Sequence, residues 1–187
     1  MPNCSRSSQL SPVTNWCVIT GAPCSGKTSV IESLHDLGHR VVTETERAYI
    51  DRQLGRGETL ETIKADPLAF ERHLLMKKVA IEQALPQKQR IYLDRAVPDS
   101  IAYYQIEGLD PREPKQLSRA VHYRKIFLFE QLPFEQDSVR AENHQLASRI
   151  EQLLEACYTA LGYRLIRVPV MTVARRVAFV IRHSAAG

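Results

Sequence analysis

Long apolar runs are missing from this chain. The longest, Val177 to Ile181, falls far short of the ~20 residues a helix needs to cross a bilayer. Cysteine is sparse: Cys4, Cys17, Cys24 and Cys157 form no Cys-x-x-Cys pair and stand at no zinc-ligand spacing. No signal-peptide pattern is present either, so the reading is a protein of the reducing cytoplasm, without a membrane partner. Strong charge of one sign is also lacking. Lys and Arg total 25 against 21 Asp and Glu, a net +4. That balance, with no aromatic-basic platform, argues against nucleic acid and stays compatible with anionic ligands. His35 and His39 have the spacing of a metal pair, but Gly38 interrupts the helix such a pair would need.

What remains is an ordinary globular composition, 44% hydrophobic and 25% charged. A chain of 187 residues suits one domain and buries enough surface to fold without a disulfide or metal staple. Residues 1–14 are Ser- and Pro-rich without apolar period, which predicts a flexible arm ahead of a single domain over 15–187.

Five short apolar runs predict strands: Trp16 to Thr20, Arg40 to Thr43, Arg90 to Asp94, Ile126 to Phe129 and Leu165 to Val168. Helical spacing separates them. Lys27 to Leu37 carries Val30, Ile31 and Leu34. Asp66-Pro67 is a cap followed by a first-turn proline, opening a helix with Leu68, Leu75, Met76 and Val79 as its expected apolar face. Asp99 to Glu107 is a further helix. Leu146, Ile150, Leu154 and Cys157 mark a long one, and Val173, Val177 and Val180 the last. Residues 48–64 read as helix in two pieces, broken near Gly55 and Gly57. Strands alternating with helices predict an α/β fold, three-layered around a parallel sheet.

Gly21-Ala22-Pro23-Cys24-Ser25-Gly26-Lys27-Thr28 matches G-x-x-x-x-G-K-[ST], with a strand entering and a helix leaving. The glycines permit a backbone path that turns successive N–H groups toward phosphate, and the helix N-terminus adds positive potential. The nucleotide-binding set is Gly21 to Thr28 with Ser29. Lys27 would reach the β- and γ-phosphates, and the Thr28 hydroxyl would hold Mg²⁺. ATP is favoured because no Asn-Lys-x-Asp guanine motif is present, with GTP left open. Cys24 either fills a variable loop position or is an activated thiol.

Asp94 ends the third strand and Arg95 follows it. Ligands lie at the carboxyl edge of such sheets, so Asp94 is read as a base or Mg²⁺-side carboxylate, and Arg95 as a phosphate partner. The alternative for Asp94 is a helix cap. Glu44 and Arg47 follow the second strand at the same edge, with Glu44 the competing base. Glu130, after the fourth strand, is a weaker acidic candidate. Residues 45–66 and 130–142 would cover the site, and Arg140 would swing in as a lid arginine. Arg175, Arg176 and Arg182 read as a solvated helix face.

The chain from about Trp16 to His183 resembles a family of small P-loop proteins labelled AAA-type or ATP-binding domains, grouped with NadR-like ribosylnicotinamide kinases and more loosely with nucleoside and thymidylate kinases. The phosphate loop, Val41-Val42-Thr43-Glu44 with Arg47-Ala48, Leu93-Asp94-Arg95 with Asp99-Ser100, Gln136-Asp137 with Arg140 and Glu142, and Arg167-Val168-Pro169 carry the resemblance. It implies strand order 2-3-1-4-5, ATP or GTP with Mg²⁺, a Lys27/Thr28 phosphate site, Asp94-Arg95 at the reaction edge and Arg140 in the lid. It does not imply an unfoldase, whose helical C-terminal domain with sensor residues has no counterpart in this sequence. Two functions follow as expectations: a kinase acting on a small hydroxyl-bearing acceptor, or a nucleotide-binding regulator or slow NTPase. Family resemblance alone does not choose between them.

Overall fold

A computed structural model describes residues 12–133 and 138–185, with backbone only for 138–143. Five parallel strands form the sheet: β1 (Trp16–Thr20), β2 (Val41–Val42), β3 (Ile91–Asp94), β4 (Lys125–Phe129) and β5 (Leu165–Val168). Their order is β2-β3-β1-β4-β5, as the family resemblance implied. The register sets Ile19 beside Asp94 and Thr20 beside Leu128, so the ends of β1, β3 and β4 share one edge.

The helices are α1 (Lys27–Asp36), α2 (Thr45–Leu54), α3 (Leu60–Ile63), α4 (Pro67–Ala84), α5 (Asp99–Ile106), α6 (Arg112–Leu117), α7 (Ser138–Ala160) and α8 (Val173–Ala185). They cover both faces, which is why β1 is buried at every position. Side chains alternate along a strand. Cys17 and Ile19 accordingly pack with α1 and α8 through Val30, Ile31, Leu34, Val177 and Val180. Trp16 and Val18 face the other way, toward Tyr123 and Tyr158, and Leu128 meets Ile101 of α5 and Leu154 of α7.

Three expectations need correction. Leu68 and Met76 of α4 are 50% and 43% exposed, and the buried face is instead Phe70, Glu71, Leu74, Leu75, Lys78 and Glu82. Apolar spacing could not register a core-facing stripe that carries charge. Helix α6 was not anticipated. Val13 and Thr14, expected within a flexible arm, are held against the domain: Thr14 is buried and its N–H donates to His122 O at 2.8 Å, while Val13 bridges His122. Residues 1–11 lie outside the described residues.

Candidate active site

The phosphate loop turns where β1 meets α1. Gly21 has φ 147°, and a Cβ there would sit 2.7 Å from Phe129 O, a backbone atom of neighbouring β4. Gly26 has φ 78° and Cys24 φ 60°, the left-handed backbone that lets consecutive N–H groups face one hollow. Gly26 caps α1 with no side-chain hydrogen bond to its first turn. Lys27 is buried, and its ammonium donates to Gly21 O (2.9 Å), Ala22 O (2.7 Å) and Ser25 Oγ (3.1 Å). Burial, then the Arg95 charge, pulls its pKa down to about 7 against the pull of Asp94, Glu44 and Asp99. Thr28 and Ser29 are exposed at the start of α1.

The end of β3 supplies the second wall. Arg95 adopts φ 66°, a conformation that costs a non-glycine residue about 1–2 kcal/mol, and its N–H donates to Ile19 O across the sheet. Its guanidinium is buried, donates from Nε to Glu44 Oε1 at 2.5 Å, and lies 5.0 Å over the Tyr103 ring. Arg95 Nη1 and the Tyr103 hydroxyl have no hydrogen-bond partner, although both are sealed from solvent. Among the described residues, the carboxylate paired with Nη1 is Asp99, at 3.9 Å.

Asp94 is 4% exposed, and its Oδ1 has no partner. Burial, then Glu44, pushes its carboxyl up to about 6, despite Lys27 and Arg95. Glu44 goes the other way. Burial alone would raise it, but the Arg95 charge and hydrogen bond outweigh that and hold it below the usual carboxylate range. Two carboxylates at one strand edge are thus driven apart in acidity, the pattern that divides acid-base labour in active sites. The helix-cap alternative for Asp94 fails, because the cap position of α5 is Pro98 and no side chain hydrogen-bonds that helix's first turn.

These groups wall one cleft of about 500 Å³, lined by the loop residues Pro23 to Thr28, Glu44, Arg95 and Tyr103. Arg47 on α2 and Lys64 after α3 close its outer side, with Lys64 paired to Glu46 at 3.2 Å. Of the expected cover at 45–66, Glu46, Arg47 and Lys64 line the cleft. That segment is lightly anchored: α2 buries no residue fully and α3 only Ile63. The expected lid over 130–142 is described only in part. Gln131 Nε2 donates to Pro23 O at 2.9 Å. Residues 134–137 and the Arg140 side chain lie outside the described residues. Glu130 does not line the cleft.

Sequence reading missed Arg176. It is not solvated but 2% exposed, with Nη1 donating to Ser25 O at 2.6 Å and Nε to Pro169 O at 3.2 Å. Its guanidinium lies 5.4 Å from the Phe129 ring centroid. Arg176, Val180 and Ser184 repeat every four residues and all three are buried. That spacing was visible in the sequence and places Arg176 on the inner face of α8.

Comparison with known proteins places the chain in a family and gives its fold. The family model described as AAA domain covers residues 16–176. Among curated proteins, none matches the chain in sequence. Among solved structures, NadR in complex with NR is similar at TM-score 0.65 and 12% identity over 95% of this chain. This chain spans about half of that one, 52%. Thymidylate kinase from Ehrlichia chaffeensis is similar at TM-score 0.62 and 16% identity, over 92% of this chain and 98% of its own. Deoxyadenosine kinase from M. mycoides follows at TM-score 0.58 and 11% identity, over 90% and 97%. The fold is that of the P-loop nucleoside and nucleotide kinases.

Proposed function

The chain belongs to the AAA domain family, and on that premise we propose that it is an ATP-dependent phosphotransferase acting on a hydroxyl of a small acceptor. One observation carries the reading: the phosphate loop and the Glu44–Arg95 pair wall the same cleft. A protein that only bound nucleotide would have no task for that pair, nor for the strained backbone that holds Arg95 there.

ATP would lie along Gly21 to Ser29, its β- and γ-phosphates taking over the Lys27 hydrogen bonds now made to loop carbonyls. An anion beside Lys27 also restores its full charge, because the proton is then favoured by an opposite neighbour. The residues fit Mg²⁺. Asp94 brings a buried oxygen without a partner, Thr28 a hydroxyl at the same edge, and one carboxylate suffices when phosphates complete the shell. Bound there, the ion would neutralise charge on the phosphate oxygens.

Glu44 rather than Asp94 is the better acceptor-side base. It lines the cleft and its side chain is 23% exposed, whereas Asp94 is closed off behind it. In the step proposed, the acceptor oxygen bonds to the γ-phosphorus and the bond from that phosphorus to the bridging oxygen breaks. ADP leaves, and the hydroxyl proton passes to the Glu44 carboxylate. Arg95, which lines the cleft, stabilises charge on the transferring group.

The first test is Lys27→Ala. Mg-ATP should stabilise the wild type in a thermal-shift titration and leave the variant unmoved; equal stabilisation would sink the assignment. The second test separates the carboxylates. Asp94→Asn should raise the Mg²⁺ concentration needed for half-maximal turnover, because it removes a charged oxygen from the metal side. Glu44→Gln should keep Mg-ATP binding and lower kcat by about a hundredfold or more. ATP consumption that no panel of nucleosides, sugars or vitamins accelerates would favour the regulatory NTPase instead.

A further inference from the structure

A second hollow, of about 330 Å³, lies on the far side of Glu44, between the end of β2, α2 and α4. Its floor is apolar, from Val42 and Ile81, and its wall is the Tyr49 ring packed on the His73 ring at 4.2 Å between centroids. Arg52 from α2 and Lys77 from α4 converge on it. Both depress the basicity of His73, after burial, which places their charges close to that ring. Neither has a carboxylate partner among the described residues, and the one carboxylate in the lining, Glu44, is already bound to Arg95. His73 Nε2 is sealed from solvent without a hydrogen-bond partner. Three nitrogen-bearing side chains thus meet in a cavity with no anion of the protein to answer them. Three other surface arginines do have carboxylate partners: Arg72 with Glu113, Arg112 with Asp110, Arg167 with Glu151 and Glu155.

We propose that this hollow holds an anionic group of the acceptor, a phosphate monoester or a carboxylate, while the acceptor hydroxyl reaches Glu44 in the adjoining cleft. The proposal rests on the phosphotransferase reading and narrows it from any hydroxyl-bearing molecule to an anionic one. Glu44 walls both spaces, so a single small molecule can span them. Arg52 and Lys77 take the anion from the rim, His73 donates from within when it carries the Nε2 proton, and the Tyr49 face packs on the body next to the charge. A neutral acceptor would leave the two cations unanswered and would gain nothing from them.

The test reads the hollow directly. The protein is saturated with a non-hydrolysable ATP analogue, so that the phosphate loop is filled. The ring resonances of His73 and Tyr49 are then followed while inorganic phosphate, acetate or ribose is added. Phosphate, acetate or both should move them saturably, their ratio telling a phosphate-binding hollow from a carboxylate-binding one, and ribose should not. Arg52→Ala combined with Lys77→Ala should raise the half-saturating anion concentration about tenfold or more, with binding of the analogue unchanged. Both side chains are exposed, so the double variant keeps the fold. Drifts that never saturate, an equal response to ribose, or an unaltered anion response in the double variant would overturn the proposal. Failure of the analogue to bind would count against the phosphotransferase reading alone, because the anion titration still reports on the hollow.

Discussion

Glu82 shows how far a single buried charge can depart from its ordinary chemistry. Its Oε1 accepts from Val97 N at 2.9 Å and its Oε2 from the Tyr123 hydroxyl at 2.8 Å. Burial, the largest influence, nonetheless pushes the carboxyl up from 4.5 to about 7. One turn away, Lys78 is buried against Ser100 Oγ at 3.1 Å, with burial lowering its pKa. The folded state holds the Glu82 proton more tightly than the unfolded chain. Its contribution to stability is therefore complete below about pH 4.5 and is lost as pH rises through about 7. Glu82→Gln is neutral at every pH and keeps the shape. Urea unfolding should find the variant more stable than wild type at pH 8, by about 1–3 kcal/mol, with the difference shrinking toward pH 4.5. A difference that does not change with pH would show that Glu82 does not titrate in this window.

At the scale of the element, α8 does more than close the sheet. Val177 and Val180 pack on the core, and Arg176 extends from the same face to hold the Ser25 carbonyl. The phosphate loop is thereby braced from outside as well as by Lys27 from within. A buried guanidinium whose acceptors are two carbonyls, with no paired carboxylate among the described residues, is costly, and a polyanion in the neighbouring loop would offset that cost. Arg176→Leu should leave the helical circular dichroism intact and weaken Mg-ATP binding about tenfold, the effect of losing one charge-assisted hydrogen bond. Calorimetric titration reads the affinity, and an unchanged value would reduce Arg176 to packing. Helix α4 makes the complementary point. Its cap was legible, since Asp66 Oδ1 accepts from Ala69 N at 3.0 Å. Its inner face was not, because Glu71, Lys78 and Glu82 look like solvent-facing residues until α5 and Tyr123 supply their surroundings.

Across the whole molecule, Asp99 joins elements that are remote in the chain. Its Oδ1 accepts from Thr20 Oγ1 at 2.5 Å at the end of β1, and its Oδ2 accepts from the Tyr158 hydroxyl of α7 at 2.5 Å and from Ala96 N. Asp99→Ala would strand all three donors without water, a loss on the order of 3–5 kcal/mol. At ~2–4 °C per kcal/mol for a chain of this size, the melting midpoint should fall by roughly 10 °C. Asp99→Asn retains one accepting oxygen and should lose less. A melting curve for Asp99→Ala within about 2 °C of wild type would remove Asp99 from this role.

The sequence by itself determined the five strands, the helices other than α6, the parallel sheet and the phosphate loop. Those follow from local spacing, from glycines at Gly21 and Gly26, and from a short apolar run entering a helix, none of which needs a distant partner. It also put Glu44, Asp94 and Arg95 at one edge, because strand ends in a parallel sheet face the same way. Only the tertiary structure decided what each does. The division of Glu44 and Asp94 into an ionised, cleft-lining carboxylate and a buried one arises from Arg95 reaching back across 51 positions to Glu44. The brace from Arg176 spans 151 positions, and the meeting of Arg52 with His73 and Lys77 requires α2 to fold onto α4. Charge acquires its chemical role from burial and from neighbours, and both are properties of the packed chain rather than of the residue.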